Sequence, residues 1–249
     1  RYVKIMEELK KHKCTSHPHS ALRSCLLGGT MLASISQSVS ADPSADITIE
    51  EGVTVVSGEE ITSDNITLTN YGAIEVTGAG GKGAPKYAIF VSGNADANNF
   101  SLNNHGLISS DELFPLAFRT DGNSFIFNQT GGVITTGTSD SLGTLIDVSS
   151  GRLEVDNYGY IGSNEYERTT FEAFNGGTLI LKNGSSGEIV SVGAEEAATD
   201  GYLYPDGTAG LPGYWGVVHV DNEGSIIAEG IAVSLAASST LQNKGLIQG

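Results

Sequence analysis

The sequence contains few cysteines and prolines, the residues that cross-link a chain or restrict its backbone. Its 249 residues include two cysteines, six prolines and one tryptophan. Both cysteines, Cys14 and Cys25, lie in the first 41 residues, so the rest of the chain cannot form a disulfide. The low proline content excludes a collagen-like or proline-rich disordered chain, although glycine is abundant at 33 residues. A hydrophobic fraction of 39% with few aromatics suits a thin core of isoleucine, valine and leucine.

Basic side chains are scarce beyond residue 41. Residues 1–41 contain six basic and two acidic residues, and taking these from the 13 basic and 29 acidic residues of the chain leaves 7 and 27, a formal charge of −20. Nucleic acids and anionic lipids bind to clustered lysine and arginine. We therefore expect no nucleic-acid partner for residues 42–249.

The first 41 residues have the character of a signal peptide with a long basic n-region. A weakly apolar run over residues 25–35 follows the basic head, and Val39-Ser40-Ala41 places small residues where signal peptidase cleaves. The run is roughly half as long as a membrane-spanning helix. We expect cleavage after Ala41, no transmembrane helix in the mature chain, and an N-terminus at Asp42 in mass spectra of exported protein. The alternative is an ordinary N-terminal helix.

The rest of the chain is dominated by a repeated turn, Asn-x-Gly-x-Ile. Two looser copies lie at residues 129–134 and 183–189. Taken at the Asn or Gln, successive copies are 34, 25, 28, 26, 39 and 21 residues apart, a period typical of stacked supersecondary units. The five strict copies begin at Asn70, Asn104, Asn157, Asn222 and Asn243.

Apolar residues lie four and two positions before nearly every copy, and this alternation places them on one face of a strand. We expect the Asn and Gly of the turn to break that strand, since both residue types tolerate left-handed backbone. The Ile then returns to the core in a second strand, and a third apolar stretch completes the repeat. The pairs are Ile66/Leu68, Phe100/Leu102, Phe125/Phe127, Leu153/Val155, Leu179/Leu181 and Val218/Val220.

Because the turn recurs once per repeat, equivalent strands are expected to pair in parallel. We predict an all-β fold, a single-stranded right-handed parallel β-helix of roughly seven coils that follows the signal peptide. Ile47, Ile49 and Val55 form a degenerate first coil, and the stacked asparagines form an internal amide ladder. The predicted core column consists of Ile74, Ile108, Ile161, Ile189, Ile226 and Ile247.

The repeated turns on short β-coils resemble the passenger domains of bacterial autotransporters, such as pertactin-like adhesins. The acidic, glycine-rich and cysteine-free composition of the chain, and its long basic leader, are part of this resemblance. The resemblance covers about residues 47–249. It implies export, passage through an outer-membrane translocator barrel, and display on the cell surface or secretion as an adhesin or structural stalk. The barrel is not part of this sequence, so we expect the passenger to be truncated at Gly249.

Sequence motifs of catalysis and cofactor binding were not found: there is no G-x-S-x-G, H-E-x-x-H or P-loop. We expect no catalytic residues, cofactor or metal. The alternative is a secreted polysaccharide lyase or hydrolase on the same scaffold. It depends on one predicted outward column of Phe90, Arg119, Asp147 and Ala173, which the simpler interpretation treats as an exposed ion pair.

The longest insertion, residues 192–216, is the predicted binding site for a host or cell-surface glycan or protein. Aromatic rings beside carboxylates suit sugar stacking, and functional residues concentrate on long loops held by a rigid scaffold. The alternative is a loop whose aromatics fold back onto the coils. The predicted binding residues are Asp200, Tyr202, Tyr204, Asp206, Tyr214 and Trp215.

Overall fold

The computed structural model describes residues 46–56, 58–76, 87–92, 99–110, 114–136, 146–162, 170–173, 176–191, 198–199, 216–228, 232–235 and 238–249. These residues form β-strands, turns and bends, without a helix. Consequently, this part of the chain has no helix that is long and apolar enough to cross a bilayer. The all-β prediction is confirmed.

The described residues contain 21 strands. In chain order they are β1 (Ile47–Ile49), β2 (Thr54–Val55), β3 (Glu59–Ile61), β4 (Thr67–Asn70), β5 (Ala73–Val76), β6 (Tyr87–Ser92), β7 (Phe100–Asn104), β8 (Leu107–Ser110), β9 (Phe114–Asn128), β10 (Val133–Thr136), β11 (Ile146–Asn157), β12 (Tyr160–Gly162), β13 (Phe171–Ala173), β14 (Thr178–Asn183), β15 (Glu188–Ser191), β16 (Ala198–Thr199), β17 (Val217–Asn222), β18 (Ser225–Ala228), β19 (Val233–Ser234), β20 (Thr240–Asn243) and β21 (Leu246–Gln248).

Each repeat contributes up to three strands. The front strands precede the turn: β1, β4, β7, the second half of β9, the second half of β11, β14, β17 and β20. The second strands follow the turn and form an eight-stranded sheet in the order β2-β5-β8-β10-β12-β15-β18-β21. The third strands are β3, β6, the first halves of β9 and β11, β13, β16 and β19. All strand pairs in the described ranges are parallel, as predicted, and the arrangement is compatible with a parallel β-helix.

The turn isoleucines form one core column across the eight-stranded sheet, as predicted. Successive register partners run from Val55 to Ile247, and Ile134 of the looser copy belongs to the same column. Ile247 is half-buried and the other isoleucines of the column are completely buried. The degenerate first coil is also confirmed, because Ile47 and Ile49 pair with Leu68 and Asn70.

The prediction for the copy at residues 129–134 is wrong by one residue. Asn104 pairs with Asn128, and Gln129 lies beyond the strand. Its turn has two more residues than a strict copy, as in the copy that begins at Asn183, so the repeat aligns on Asn128 rather than Gln129. As a result, Ile126 is buried in the core, whereas Phe127 faces outward and is 39% exposed.

The left-handed backbone predicted for the turns is also wrong for the strict copies. Among the described residues, positive φ occurs at Asn65, Asn99 and four glycines outside the strict motif. The turn glycines serve close approach between repeats instead. A Cβ on Gly106 would lie 2.0 Å from the carbonyl oxygen of Gly72 in the preceding repeat. Only glycine leaves room for that carbonyl.

Candidate functional site

Seven asparagines at the ends of front strands form a continuous chain of side-chain hydrogen bonds, the ladder predicted from the sequence. Each Nδ2 of the first six asparagines donates to the Oδ1 of the next asparagine in the ladder at 2.7–2.8 Å. Six of the seven side chains are buried. In chain order the ladder contains Asn70, Asn104, Asn128, Asn157, Asn183, Asn222 and Asn243.

The same amides also connect the two sheets. Asn128 Nδ2 donates to the carbonyl oxygen of Tyr160 at 3.2 Å, and Asn183 Nδ2 to that of Ser225 at 3.1 Å. Buried amides require such partners because an unpaired polar group in the core is costly. One end of the ladder is incomplete: Asn70 Oδ1 is buried without a partner because Ile49 occupies the preceding register position.

The outward side chains of β9, β11, β14 and β17 form a mixed aromatic and charged surface, which we call the front face. Side chains that share a column on neighbouring parallel strands lie close enough to interact. One column contains Phe125, Glu154, Ile180 and His219. The next contains Phe127, Asp156, Lys182 and Asp221.

Charges on the front face are paired around Glu154. Its carboxylate accepts hydrogen bonds from Arg152 Nη2 at 3.2 Å and from Lys182 Nζ, and Lys182 Nζ lies 3.5 Å from Asp156 Oδ1. The hydrogen bond from Lys182 lowers the pKa of Glu154 against the opposing effect of burial. Conversely, the hydrogen bond to Glu154 raises the pKa of Lys182. Both pKa shifts favour the charged form of the group concerned.

Aromatic surface adjoins this network. Phe127 is exposed and is the register partner of Asp156, so an aromatic ring and a carboxylate lie side by side on adjacent strands. A face with ring surface beside carboxylates and an ammonium group can bind a polar partner that also has an apolar side, such as a sugar or a protein surface. No group of three or more His, Cys, Asp or Glu that could hold a metal ion occurs in the part of the chain that the structure describes.

The leader and most of the predicted binding loop, residues 192–216, lie outside the described residues. The signal peptide and its cleavage site at Ala41 fall in this category. So do all six predicted binding residues: Asp200, Tyr202, Tyr204, Asp206, Tyr214 and Trp215. Within the predicted loop, Ala198–Thr199 form β16, which pairs with β13 and β19, so this part is a strand rather than a loop.

The column predicted for the enzymatic alternative does not form. Phe90 and Asp147 both pair with Ala117, whereas Arg119 pairs with Ser92 and Ser150. The prediction placed Arg119 two residues out of register, because in the regular pairing of β6 with β9 Phe90 lies opposite Ala117. The fourth residue, Ala173, is buried and pairs with Val148.

The sequence interpretation missed the front face because it assigned Phe125 and Phe127 to the core. A usable signal was present in the shared spacing of the two looser turns. Asn128 precedes Gly132 and Ile134 by the same distances at which Asn183 precedes Gly187 and Ile189. Aligning those two copies with each other turns both phenylalanines outward.

Comparison of the whole chain with protein-family models, with curated proteins and with solved structures gives no match.

Proposed function

We propose that this chain is a surface-displayed or secreted β-helical passenger of a bacterial autotransporter, which acts as an adhesin or structural stalk. Within this proposal, the described strands belong to a right-handed parallel β-helix. The observation that carries it is the ladder of seven asparagines beside a column of eight aligned strands. Repetition in one direction supports a rod, because each repeat contacts mainly its neighbours.

The right-handedness proposed for the β-helix is based on the general geometry of parallel strand crossovers. Every repeat returns to the same sheet and pairs in parallel with the previous one, and such crossovers are right-handed in nearly all proteins. A crystal structure that shows left-handed coils would contradict this part of the proposal.

The export part of the proposal is supported by composition. The leader-like residues 1–41 contain both cysteines, so residues 42–249 have no disulfide that would oppose passage of an unfolded chain through a pore. Its strongly acidic charge also suits a surface that stays soluble.

Display is tested by protease treatment of intact cells that produce the protein. If the chain is exposed outside the cell, added protease removes it while a cytoplasmic marker stays intact. A chain that survives until the cells are lysed would contradict surface display. Recovery of the chain from the medium, cleaved after Ala41, would support the secreted form.

The adhesin and stalk roles are separated with beads coated with the full chain and incubated with candidate host cells. On the proposal that the front face makes the contact, Phe127→Ala reduces bead attachment. Thr69→Ala is the matched control because Thr69 lies in the same outward column, two strands away. Attachment that is equal for both variants would exclude the front face, and beads that never attach would favour the stalk.

The enzymatic alternative lacks support from the described residues, since Arg119 and Asp147 do not share a column. We therefore do not propose a sugar-cleaving activity.

A further inference from the structure

The exposed large apolar side chains of the described residues fall into two groups. The aliphatic ones all lie in the first repeat or in the repeat of β20 and β21. The others are the aromatic rings of Tyr71, Phe127 and Tyr158, which are 46%, 39% and 47% exposed. Each of these three residues is the direct sequence neighbour of a ladder asparagine. Exposed apolar groups that are gathered in this way mark an interaction surface, whereas scattered ones do not.

Two of the rings belong to one column, which is formed by the residue that follows each front strand. The backbone N–H groups of this column donate to carbonyl oxygens of the preceding repeat at 2.7–2.9 Å, so successive members lie one strand spacing apart. The rings of Tyr71 and His105 stack, with centroids 4.8 Å apart and planes inclined by 19°. In chain order the column contains Tyr71, His105, Gln129 and Tyr158.

Phe127 reaches the same surface from the neighbouring column of the front face. Gln129 Nε2 donates to Asn103 Oδ1 at 3.2 Å, so side chains of the two columns contact each other. Asn103 is also the register partner of Phe127, which places a ring beside a pair of amides. We call this surface the aromatic strip. It consists of Tyr71, Asn103, His105, Phe127, Gln129 and Tyr158.

The ring of Tyr158 lies over Gly184 of the next repeat. A Cβ at Gly184 would come within 2.3 Å of Tyr158 Cε1, so only glycine leaves room for the ring in this position. Ser186 Oγ donates to the carbonyl oxygen of Tyr158 at 2.8 Å and holds its main chain. The ring is therefore supported by the next repeat and still exposed, as an apolar platform for a ligand requires.

The composition of the aromatic strip indicates what kind of ligand fits. Amide groups, which donate and accept hydrogen bonds, separate the stacked rings of Tyr71 and His105 from Tyr158. Tyr71 and Tyr158 are three strand spacings apart, roughly 14 Å. A linear chain of pyranose rings offers the same alternation of apolar C–H faces and hydroxyl groups, and one pyranose is about as long as the ~4.8 Å strand spacing. A protein partner would instead bury a continuous apolar centre.

Charge restricts the ligand further, because carboxylates border the aromatic strip at both ends. Glu50 is exposed and lies in the same column one repeat earlier. At the other end Asp156 pairs with Phe127, and the nearby ammonium group of Lys182 is already hydrogen-bonded to Glu154. Carboxylates accept hydrogen bonds from sugar hydroxyls and repel anions. The formal charge of −20 over residues 42–249 acts in the same direction.

We infer that the aromatic strip binds a neutral, linear oligosaccharide that lies along the stacked repeats. Its pyranose rings stack on Tyr71, Phe127 and Tyr158, and its hydroxyl groups bond to the amides of Asn103 and Gln129. This inference rests on the proposed function for its setting, a chain that is exposed outside the cell. Binding by the purified chain is measured separately from display.

Fluorescently labelled hexasaccharides are titrated with the full-length chain while their anisotropy is measured. The probes are the hexamers of β-1,4-linked glucose and of β-1,4-linked N-acetylglucosamine. We expect saturable binding of at least one of them, and about tenfold weaker binding of a galacturonic acid hexamer, whose carboxylates meet like charge. The corresponding dimer spans fewer rings and should also bind about tenfold more weakly. Binding of neither neutral hexamer, or equal binding of the galacturonic acid hexamer, would overturn the inference.

Substitutions locate the oligosaccharide on the chain. Tyr158→Ala removes a platform and is expected to weaken hexamer binding about tenfold. Tyr160→Ala is the matched control, because Tyr160 belongs to the same repeat but lies on the outer face of the eight-stranded sheet, next to the buried Ile161. Thermal melting of both variants verifies that the fold is retained. Equal loss of binding in the two variants would contradict binding at the aromatic strip.

Gly184→Ala tests the platform without removing a side chain of the aromatic strip. The added Cβ displaces the ring of Tyr158, so binding should weaken about as much as in Tyr158→Ala. In the Tyr158→Ala background the same substitution should have no further effect, because no ring is left to displace. Losses that multiply in the double variant would refute the role of Gly184 in positioning this ring.

Two combinations of results separate this inference from the proposed function. A chain that protease removes from intact cells, but that binds neither neutral hexamer, would contradict the oligosaccharide site and leave display supported. Hexamer binding by a chain that stays inside the cell would support the site and contradict display. Bead attachment that is lost in Tyr158→Ala, although neither hexamer binds, would show that the aromatic strip contacts a protein and would overturn the inference.

Discussion

The side-chain amide of Asn128 donates a 2.8 Å hydrogen bond to Oδ1 of Asn157, and both side chains are completely buried. The same Nδ2 lies 3.2 Å from the carbonyl oxygen of Tyr160 on the second strand of the next repeat. One amide therefore connects two front strands and the eight-stranded sheet. Aspartate cannot replace it, because an ionised carboxylate has no hydrogen to donate.

We predict that Asn128→Leu lowers the free energy of unfolding by roughly 2–5 kcal/mol. The substitution removes the ladder partners of Asn104 Nδ2 and Asn157 Oδ1, which keep only bonds to backbone groups, and it also removes the donor to the carbonyl of Tyr160. Loss of a buried hydrogen-bond partner costs about 1–3 kcal/mol. Urea denaturation followed by circular dichroism measures the change. Asn103→Ala on the outward side of the same strand pair is the control, and an equal effect of both substitutions would contradict a structural role for the ladder.

We predict that Gly106→Ala destabilises the chain more than Gly131→Ala does. A Cβ at Gly106 would lie 2.0 Å from the carbonyl oxygen of Gly72, and since this atom belongs to the backbone of the core, the cost is about 3 kcal/mol or more. Gly131 has a φ of 90° and open space around its Cβ position, so alanine there brings only backbone strain of about 1–2 kcal/mol. Thermal unfolding of the two variants ranks them, and the reverse order would refute the explanation.

The stacking of repeats was predictable from the sequence because the motif fixes two side chains at once. A constant distance from Asn to Ile places the amide on a front strand and the isoleucine on a second strand in every strict copy. Both columns follow if the copies pair in parallel. Register is strongly determined where one face is buried, since a shift of one residue turns each core side chain outward.

The errors arose where the deciding contact belongs to another repeat. Gln129 replaced Asn128 in the prediction because the copy was aligned with the strict motif rather than with the looser copy at Asn183, whose turn has the same two extra residues. In the structure, pairing with Asn104 on the neighbouring strand defines the register. The turn glycines were assigned a backbone role, whereas the constraint is the carbonyl of a residue 34 positions earlier, as for Gly106 and Gly72. Local sequence carries no record of such distant atoms.

We predict that Ser124→Ala raises the free energy of unfolding by about 1 kcal/mol. Ser124 lies in register between Phe100 and Leu153 in an otherwise apolar core column, and its hydroxyl oxygen is buried without a hydrogen-bond partner. Removing an unsatisfied hydroxyl avoids its desolvation cost. Ser101→Ala on the outward side is the control, with an expected change near zero in urea denaturation. A destabilised Ser124→Ala variant would show that the hydroxyl has a partner, such as a bound water.

The pH dependence of the front face provides the last prediction. The hydrogen bond from Lys182 lowers the pKa of Glu154, so this pairing stabilises the fold above the unfolded glutamate pKa of about 4.3. Its contribution is lost as pH falls through the lower folded value. The raised pKa of Lys182 gives the opposite pH dependence. The contribution of Lys182 to the free energy of unfolding is present below about pH 10 and is lost as pH rises through the pKa of the folded state.

Glu154→Gln should therefore lower the free energy of unfolding at pH 7 and have a diminishing effect as the solution is acidified below about pH 4. The change at pH 7 should be less than about 1 kcal/mol, because Lys182 is half exposed and water screens the pair. Urea denaturation at several pH values, repeated in high salt, measures both effects. Glu75→Gln, a half-buried outward carboxylate on β5, is the control. A difference between wild type and Glu154→Gln that grows on acidification would contradict the sign of the Glu154 pKa shift, since only a carboxyl stabilised in its protonated form behaves in that way.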